Sequence, residues 1–560
     1  MRGQPFPLPV PTGGVVYNLP PHQVPPNALI DGSNTYLDID GLFKCRPGYV
    51  PLAIPGPATV SNPTLFWDTD TYTWNTNPYT WQQVGAGGTH ISGGVSWQNG
   101  DSSLENICAT LGDWYSFEGG VWTAITDPAN PQGGSANSPA RFAVFSQGGV
   151  YWAVGVNNVN QMRRWTSGLI QYQTLAAAPI ARDILVLGNR LVAFNTTEIG
   201  TQYLRRARWS QFEDATLWPA LNFNDMLDSA DSIIGAASFG QGAAAVYGGK
   251  SIWIIQSNPG GDDASAFTTQ ELFAALNYSG PIGTAAIVVA EGSHYYLGTD
   301  GRVYQFNGIQ PQAISDPIDP AVLARINLGF GSRCHAVYLP VKRAIIFFWP
   351  ALATGEDCQN ASYFSLARGV WEPIESFLEG ISASWPGTVE TGQTWANDPY
   401  LWNTSPYTWD DIPDAKQLGV FIGTTAGQVH QFFKGYTDNG MAIPYSATGP
   451  LFSVDPSKTH SVDRYELYLS PASSPEIVTT TIKGYGAPSQ PATEIDSLPS
   501  DISLTSWVNQ PILPGPTNPN NYEANYLQLV IYSPASAGGF AMIGGTIYLV
   551  FNDKGDYGPN

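Results

Sequence analysis

From about residue 90 onward the chain is written in short apolar runs that alternate with polar positions and are broken by glycine-bearing turns. ARFAVFSQGGVYWAVGV (140–156) and DILVLGNRLVAFN (183–195) both read as strand, two-residue turn, strand. Gly-Gly and Gly-Asn supply the positive φ that such hairpins demand. Similar hairpins recur at 233–256, 287–308, 335–350 with 362–374, and 420–435. Their starts, near 97, 143, 184, 234, 287, 335 and 420, are spaced by about 40 to 55 residues with one larger gap, the period of four-stranded propeller blades. A small antiparallel sheet of this kind buries both faces only by stacking on its neighbours. No run of ten or more residues carries a convincing 3.6 period, so helix is expected to be minor.

Two phrases mark equivalent hairpins in different blades: GTDGRVYQF (298–306) and GTTAGQVHQF (423–432). From about residue 445 the pattern shifts to cleaner alternation, in HSVDRYELYLS (460–470), EIVTTTIKGYG (476–486), NYLQLVIYS (525–533) and MIGGTIYLVF (542–551). One wet and one dry face per strand is the signature of a sandwich. The Pro-rich stretches 487–500 and 510–520 read as its loops. The expected fold class is all-β: a β-propeller with an N-terminal extended arm and a C-terminal β-sandwich-like domain. Residues 1–90 form the Pro-rich arm, 91–444 a propeller of about six or seven blades, and 445–560 the C-terminal β domain. The arm contains GLFKCRPGYVPL, a basic and apolar stretch expected to pack on something else.

A sharper repeat stands outside the blade series. WDTDTYTWNTNPYTWQ (67–82) and WANDPYLWNTSPYTWD (395–410) share ten of sixteen positions. Each holds the unit Tyr-x-Trp twice, as Tyr72/Trp74 and Tyr79/Trp81, then Tyr400/Trp402 and Tyr407/Trp409. Residues two apart on a strand share a face, so each unit sets two rings side by side. Such rings suit a sugar platform, or a seam where they pack on each other or on a neighbouring subunit. Two copies bracketing a propeller favour the seam.

Composition sharpens this picture. Charged residues are 12% of 560, against about 25% in ordinary soluble domains. Their place is taken by 59 Gly, 45 Pro and many aromatics, while 43% hydrophobic content excludes a disordered polymer. The net charge of −21 disfavours tight binding to nucleic acid or to anionic membranes. No apolar run approaches the length of a membrane span, and the N-terminus lacks the apolar core of a secretory signal, so the chain is expected to stay in the cytosol where it is made. Cys45, Cys108, Cys334 and Cys358 match no zinc or disulfide spacing and read as buried thiols.

Chemistry is sparse. The six histidines (22, 90, 294, 335, 430 and 460) are scattered, and no Walker loop, nucleophile elbow or dinucleotide fingerprint is present. Asp68/Asp70, Asp262/Asp263 and Asp410/Asp411 are acidic pairs without a calcium-loop frame, and turn chemistry explains them. The expectation is no enzyme, no metal and no cofactor. The basic cluster Arg205, Arg206, Arg208 and Trp209, with Arg163-Arg164-Trp165 before it, reads as strand-edge ion pairing or a subunit contact.

The segment RARWSQFEDATLWP (206–219), followed by IIGAASFGQGAAAVYGGKSIWIIQ, resembles the propeller region of tail nozzle or hub proteins of short-tailed bacteriophages, also called packaged-DNA stabilisation proteins. PPHQVPPNALIDGSNTYLDIDGLFKCRPGYV (20–50) is similar to their N-terminal arm, and GTDGRVYQFNG and GQVHQFFKGYTDNG also fit. The resemblance implies a homohexameric ring that closes the tail below a portal and adaptor and contacts tail fibres or spikes. DNA would pass its lumen without tight binding, because an acidic lining repels the duplex. The location implied is the virion tail, after assembly in the host cytoplasm. The alternative from another class is a polysaccharide-binding or polysaccharide-degrading propeller using the aromatic repeats, and a host-derived scaffold is a third.

Overall fold

The computed structural model describes residues 4–8, 10–53, 90–390 and 416–553, apart from 101–102, 119–120, 228–230, 241, 275–278, 320–321, 323–324, 354, 378, 456–457, 470–475, 490–492, 503–507, 513–523 and 537–540. Both aromatic repeats, and with them Tyr72, Trp74, Tyr79, Trp81, Tyr400, Trp402, Tyr407 and Trp409, lie outside the described residues.

Within the described residues the chain builds a seven-bladed β-propeller. Six blades are separate four-stranded antiparallel sheets, consecutive in sequence. They span Ile91 to Ala124, Arg141 to Thr174, Ile180 to Asp225, Ile233 to Ala274, Ile287 to Ala313 and His335 to Ile374. The first strands of successive blades contact one another in a closed ring around a central channel, with the seventh against the first.

Local chemistry explains the hairpins. In blade 3, Ile180–Leu187 pairs with Arg190–Glu198 through a two-residue turn, Leu187 lying opposite Arg190. Gly188 and Asn189 hold φ of 54° and 55°, the type I′ geometry that matches strand twist. The two related phrases at 298–306 and 423–432 occupy the same place, the link from second to third strand, in blades 5 and 7.

Blade 7 is a composite. Its first three strands are Ile381–Glu390, Lys416–Thr424 and Val429–Phe432. The fourth is Tyr49–Ala53 from the N-terminal arm, paired antiparallel with Val429–Phe432. The ring is therefore fastened by a strand from the other end of the chain.

The arm also enters the C-terminal body. One sandwich sheet runs in the order Thr35–Leu37, Phe43–Cys45, Ala541–Asp553, Lys458–Leu469, Val508–Ile512, with Gln4–Leu8 also paired to Ala541–Asp553. In the other, Met441–Thr448 carries Asp31–Ser33 and Tyr526–Ser536, beyond which lie Glu476–Tyr485 and Thr493–Ile502. Leu8, Leu29 and Phe43 from the arm share one core with Tyr445, Leu467, Ile482, Leu527 and Ile547.

Three expectations are corrected here. The described part of the arm packs on its own chain, whose sheets its short strands complete. The division at residue 445 falls inside Met441–Thr448, which is a sandwich strand. The stretches 487–500 and 510–520 are not only loops, since Thr493–Ile502 and Val508–Ile512 are strands. Thr493–Ile502 is the edge of its sheet, where Pro499 costs no ladder bond to a further neighbour.

Candidate functional site

The basic cluster lies on the third strand of blade 3, Thr201–Trp209. Arg206 is buried and clasped by Asp225, with Nε to Oδ1 at 2.7 Å and Nη2 to Oδ2 at 2.8 Å. Its guanidinium is sandwiched between Tyr203 and Phe223, 3.7 and 3.8 Å from their ring centroids. Glu198 accepts from both Arg206 and Arg208, and Arg208 Nη2 donates to the carbonyl of Trp218 at 3.1 Å. Arg205 Nη1 donates to the Leu227 carbonyl at 3.4 Å. Trp209 is buried edge-on against Phe267, its Nε1 donating to the Asp263 carbonyl at 2.8 Å. Arg206 and Arg208 are thus spent on ion pairs inside their own blade. The fold splits the four: Arg206 and Arg208 share Glu198, with Asp225 on Arg206, while Arg205 and Trp209, at the alternate positions of the strand, have other partners. Sequence order could supply neither the split nor the acidic partners.

Beside exposed polar residues such as Thr201, Gln202 and Glu213, this blade exposes several large apolar side chains. Asp225 is the register partner of Arg206, and the Met226 N–H donates to the Arg205 carbonyl, which carries the ladder on and brings Leu204 beside Leu227. Leu204 is 46% exposed and Leu227 67%. At the turn before this strand, Ile199 is fully exposed at φ 48°. A β-branched residue in the left-handed region is strained, and burial in its own chain does not offset that strain.

The blade histidines His294, His335 and His430 are buried. His294 is bonded to the Tyr247 hydroxyl through Nδ1 at 2.7 Å and to the Ser238 carbonyl through Nε2 at 3.0 Å, and it stacks on Phe239. Burial lowers its pKa to about 4, as it does for His335 and His430. All four cysteines are buried thiols, and burial pushes Cys108 and Cys358 well up and Cys334 to about 12. Asp262 holds a turn by accepting from Ser265, and Asp263 pairs with Arg190 at 2.5 Å. Asp68, Asp70, Asp410 and Asp411 lie outside the described residues. Among the described residues no three His, Cys, Asp or Glu gather as a metal would need, and no helix is long and apolar enough to cross a membrane.

The central channel is a cavity of about 450 Å³ lined by the first strand of every blade. Asp183 crosses its wall, accepting from Arg141 Nε of blade 2 at 3.2 Å and from the Ala236 N–H of blade 4 at 2.8 Å. At the end where the first strands begin, Asn137 accepts from Arg333 Nε at 3.0 Å and from the Ser332 hydroxyl at 3.4 Å. The segments leading into blades 2 and 6 therefore meet across this mouth. Nothing in the local sequence around Asn137, Arg141 or Asp183 signalled these contacts, because ring closure creates them.

No family model and no curated protein matches this chain. Among solved structures the chain is similar to PorZ, an essential bacterial surface component of the type-IX secretion system of Porphyromonas gingivalis, at 12% identity and TM-score 0.34, over 69% of this chain and 43% of that one. BBS1N in complex with ARL6DN is similar at 8% identity and TM-score 0.38, over 63% of this chain and 95% of that one. An exo-beta-1,3-galactanase from Phanerochaete chrysosporium with galactose is similar at 11% identity and TM-score 0.25, over 76% and 99%. The chain thus spans less than half of the PorZ chain it matches.

Proposed function

We propose that this protein is a non-enzymatic structural component of a short-tailed bacteriophage tail. It assembles as a homohexameric ring, a nozzle or hub that retains packaged DNA and lets it pass on ejection. The observation that carries this reading is the set of exposed apolar side chains on blade 3, Ile199, Leu204 and Leu227, at a strand whose Arg206 and Arg208 are already ion-paired within the blade. A strained, solvent-facing isoleucine at the hairpin tip and two exposed leucines farther along the same hairpin edge suit a subunit seam, where apolar side chains are covered and charge is sparse. The low content of charged residues agrees with a surface largely covered by neighbours. The excess of acid suits a lumen that repels the duplex, and the segment from Arg206 that resembles nozzle proteins lies in the same blade.

In this role the ring sits below a portal and adaptor, is flanked by fibres or spikes, and resides in the virion tail after assembly in the host cytoplasm. Placing aspartate at both leucines (Leu204→Asp with Leu227→Asp) is expected to convert the assembled species to monomer, as measured by light scattering, with the circular dichroism spectrum unchanged. An assembly of undiminished mass would remove these side chains from the seam.

A further inference from the structure

Beside the channel mouth lies a second cavity of about 220 Å³, lined by Asn137, Ser138, Asn158, Arg182, Thr284 and Ser332 among others. Four blades and their lead-in segments converge on it, and its lining is mostly polar. Arg182, on the first strand of blade 3, donates from Nε to Thr284 Oγ1 at 3.2 Å. Its two terminal nitrogens have no hydrogen-bond partner among the described residues. Asp183, the next residue, projects from the other side of the strand and is taken by Arg141, by the Ile184 N–H at 3.0 Å and by the Ala236 N–H. The neighbouring Arg333 is paired with Glu356 at 2.7 Å and Asp357 at 3.2 Å. The pocket therefore presents one guanidinium whose two terminal nitrogens are unbonded among the described residues, although it lies in the field of Asp183. Around it stand the exposed amides of Asn137 and Asn158, with the hydroxyl of Ser332.

We propose that this pocket binds a monoanionic, hydroxyl-bearing carboxylate of the uronic-acid class. A guanidinium fork matches a carboxylate through two parallel hydrogen bonds. The Asn137 oxygen is taken by Arg333 and Ser332, so the Asn137 amide N–H groups donate, the Ser332 oxygen accepts and the Asn158 amide does both, a mixed set that suits sugar hydroxyls, whereas a phosphate ester offers chiefly acceptors. A phosphate monoester also carries about −1.5 to −2 charges and would need a second free cation, which the paired Arg141 and Arg333 do not supply. A water occupies about 30 Å³ of liquid, so the cavity has room for a ring and not only for a small ion. The site is independent of the ring assembly proposed above and belongs to each copy.

Calorimetric titration of the full chain with sodium glucuronate, glucose and inorganic phosphate tests this. Glucuronate is expected to bind at least about tenfold more tightly than either of the others, and Arg182→Gln to weaken it by about tenfold or more. Asn158 has φ 62°, so Asn158→Gly keeps the backbone and removes the amide; it is expected to weaken glucuronate severalfold with an unchanged melting temperature. Should Arg182→Gln not fold, Asn158→Gly and Arg182→Lys, which keeps the charge but loses the fork, carry the test. Glucuronate binding no tighter than glucose, binding of phosphate tighter than glucuronate, or binding indifferent to these substitutions overturns the proposal.

Discussion

Replacing Arg46 with alanine is expected to destabilise the folded chain by about 3–5 kcal/mol, the cost of leaving one partner of a buried ion pair behind. The Arg46 side chain is wholly buried. It donates to Asp438 from Nη1 at 2.8 Å and Nη2 at 2.5 Å, and to Asn34 Oδ1 from Nε at 2.9 Å, with Phe377 under its guanidinium. Two residues on, a Cβ at Gly48 would stand 1.9 Å from the Thr437 carbonyl oxygen, so the backbones meet there only because glycine has none. Together Arg46 and Gly48 seat Tyr49–Ala53 as the outer strand of blade 7. Alanine at 46 leaves Asp438 charged, buried and unpaired beside that strand. A fall in the urea midpoint, together with faster amide exchange in Val429–Phe432, is the expected signature. Lysine at 46 should rescue little, since it cannot make the paired contact. A loss under about 1 kcal/mol would mean that the arm is held by its strand pairing alone.

The second large effect is on the pH profile of stability. Glu372, on the outer strand of blade 6, is 1% exposed with neither carboxylate oxygen hydrogen-bonded, and burial raises its pKa well above the ordinary value. The folded chain holds this proton after the unfolded chain has lost it. The contribution is therefore full below about pH 4.5 and is lost as pH rises toward the folded pKa, by about 1.4 kcal/mol for each pH unit between the two values. Glu372→Gln should thus stabilise the protein at pH 7 and above and leave it unchanged near pH 4. The acid limb has the opposite sign. His294, His335 and His430 are buried, and burial lowers each pKa from 6.5 to about 4. The unfolded chain takes up these protons first, so stability is full above about pH 6.5 and falls toward pH 4, by up to about 3 kcal/mol per buried histidine. Denaturant melts of wild type and Glu372→Gln across pH 4–8 check both limbs. A gain at pH 8 no greater than at pH 4 would show that Glu372 is not held neutral.

The blades were legible because their information is local. Gly188-Asn189 needs only its flanking alternation to declare a hairpin, and 298–306 and 423–432 are recognisable as one phrase used twice. The seventh blade was not legible in the same way. Its fourth strand pairs Tyr49 with Phe432, and Arg46 meets Asp438 across 392 positions, a separation at which no periodicity carries information. Pro499 hid a strand because proline argues against a central position and says nothing against an edge. At the basic cluster the sequence set Trp209 beside the arginines, but Trp209 packs on Phe267, and both the Tyr203 and Phe223 rings on Arg206 and its Asp225 clamp required the fold. Arg182 and its pocket had no local signal at all, since Asn137, Asn158, Thr284 and Ser332 become neighbours only when the ring closes.

Electron microscopy of the purified chain shows directly whether copies assemble through blade 3. Six-fold rings in which propellers adjoin through Ile199, Leu204 and Leu227 are the result expected of the proposed assembly. Particles that stay monomeric at every concentration examined, each a single seven-bladed propeller with its sandwich, would contradict it.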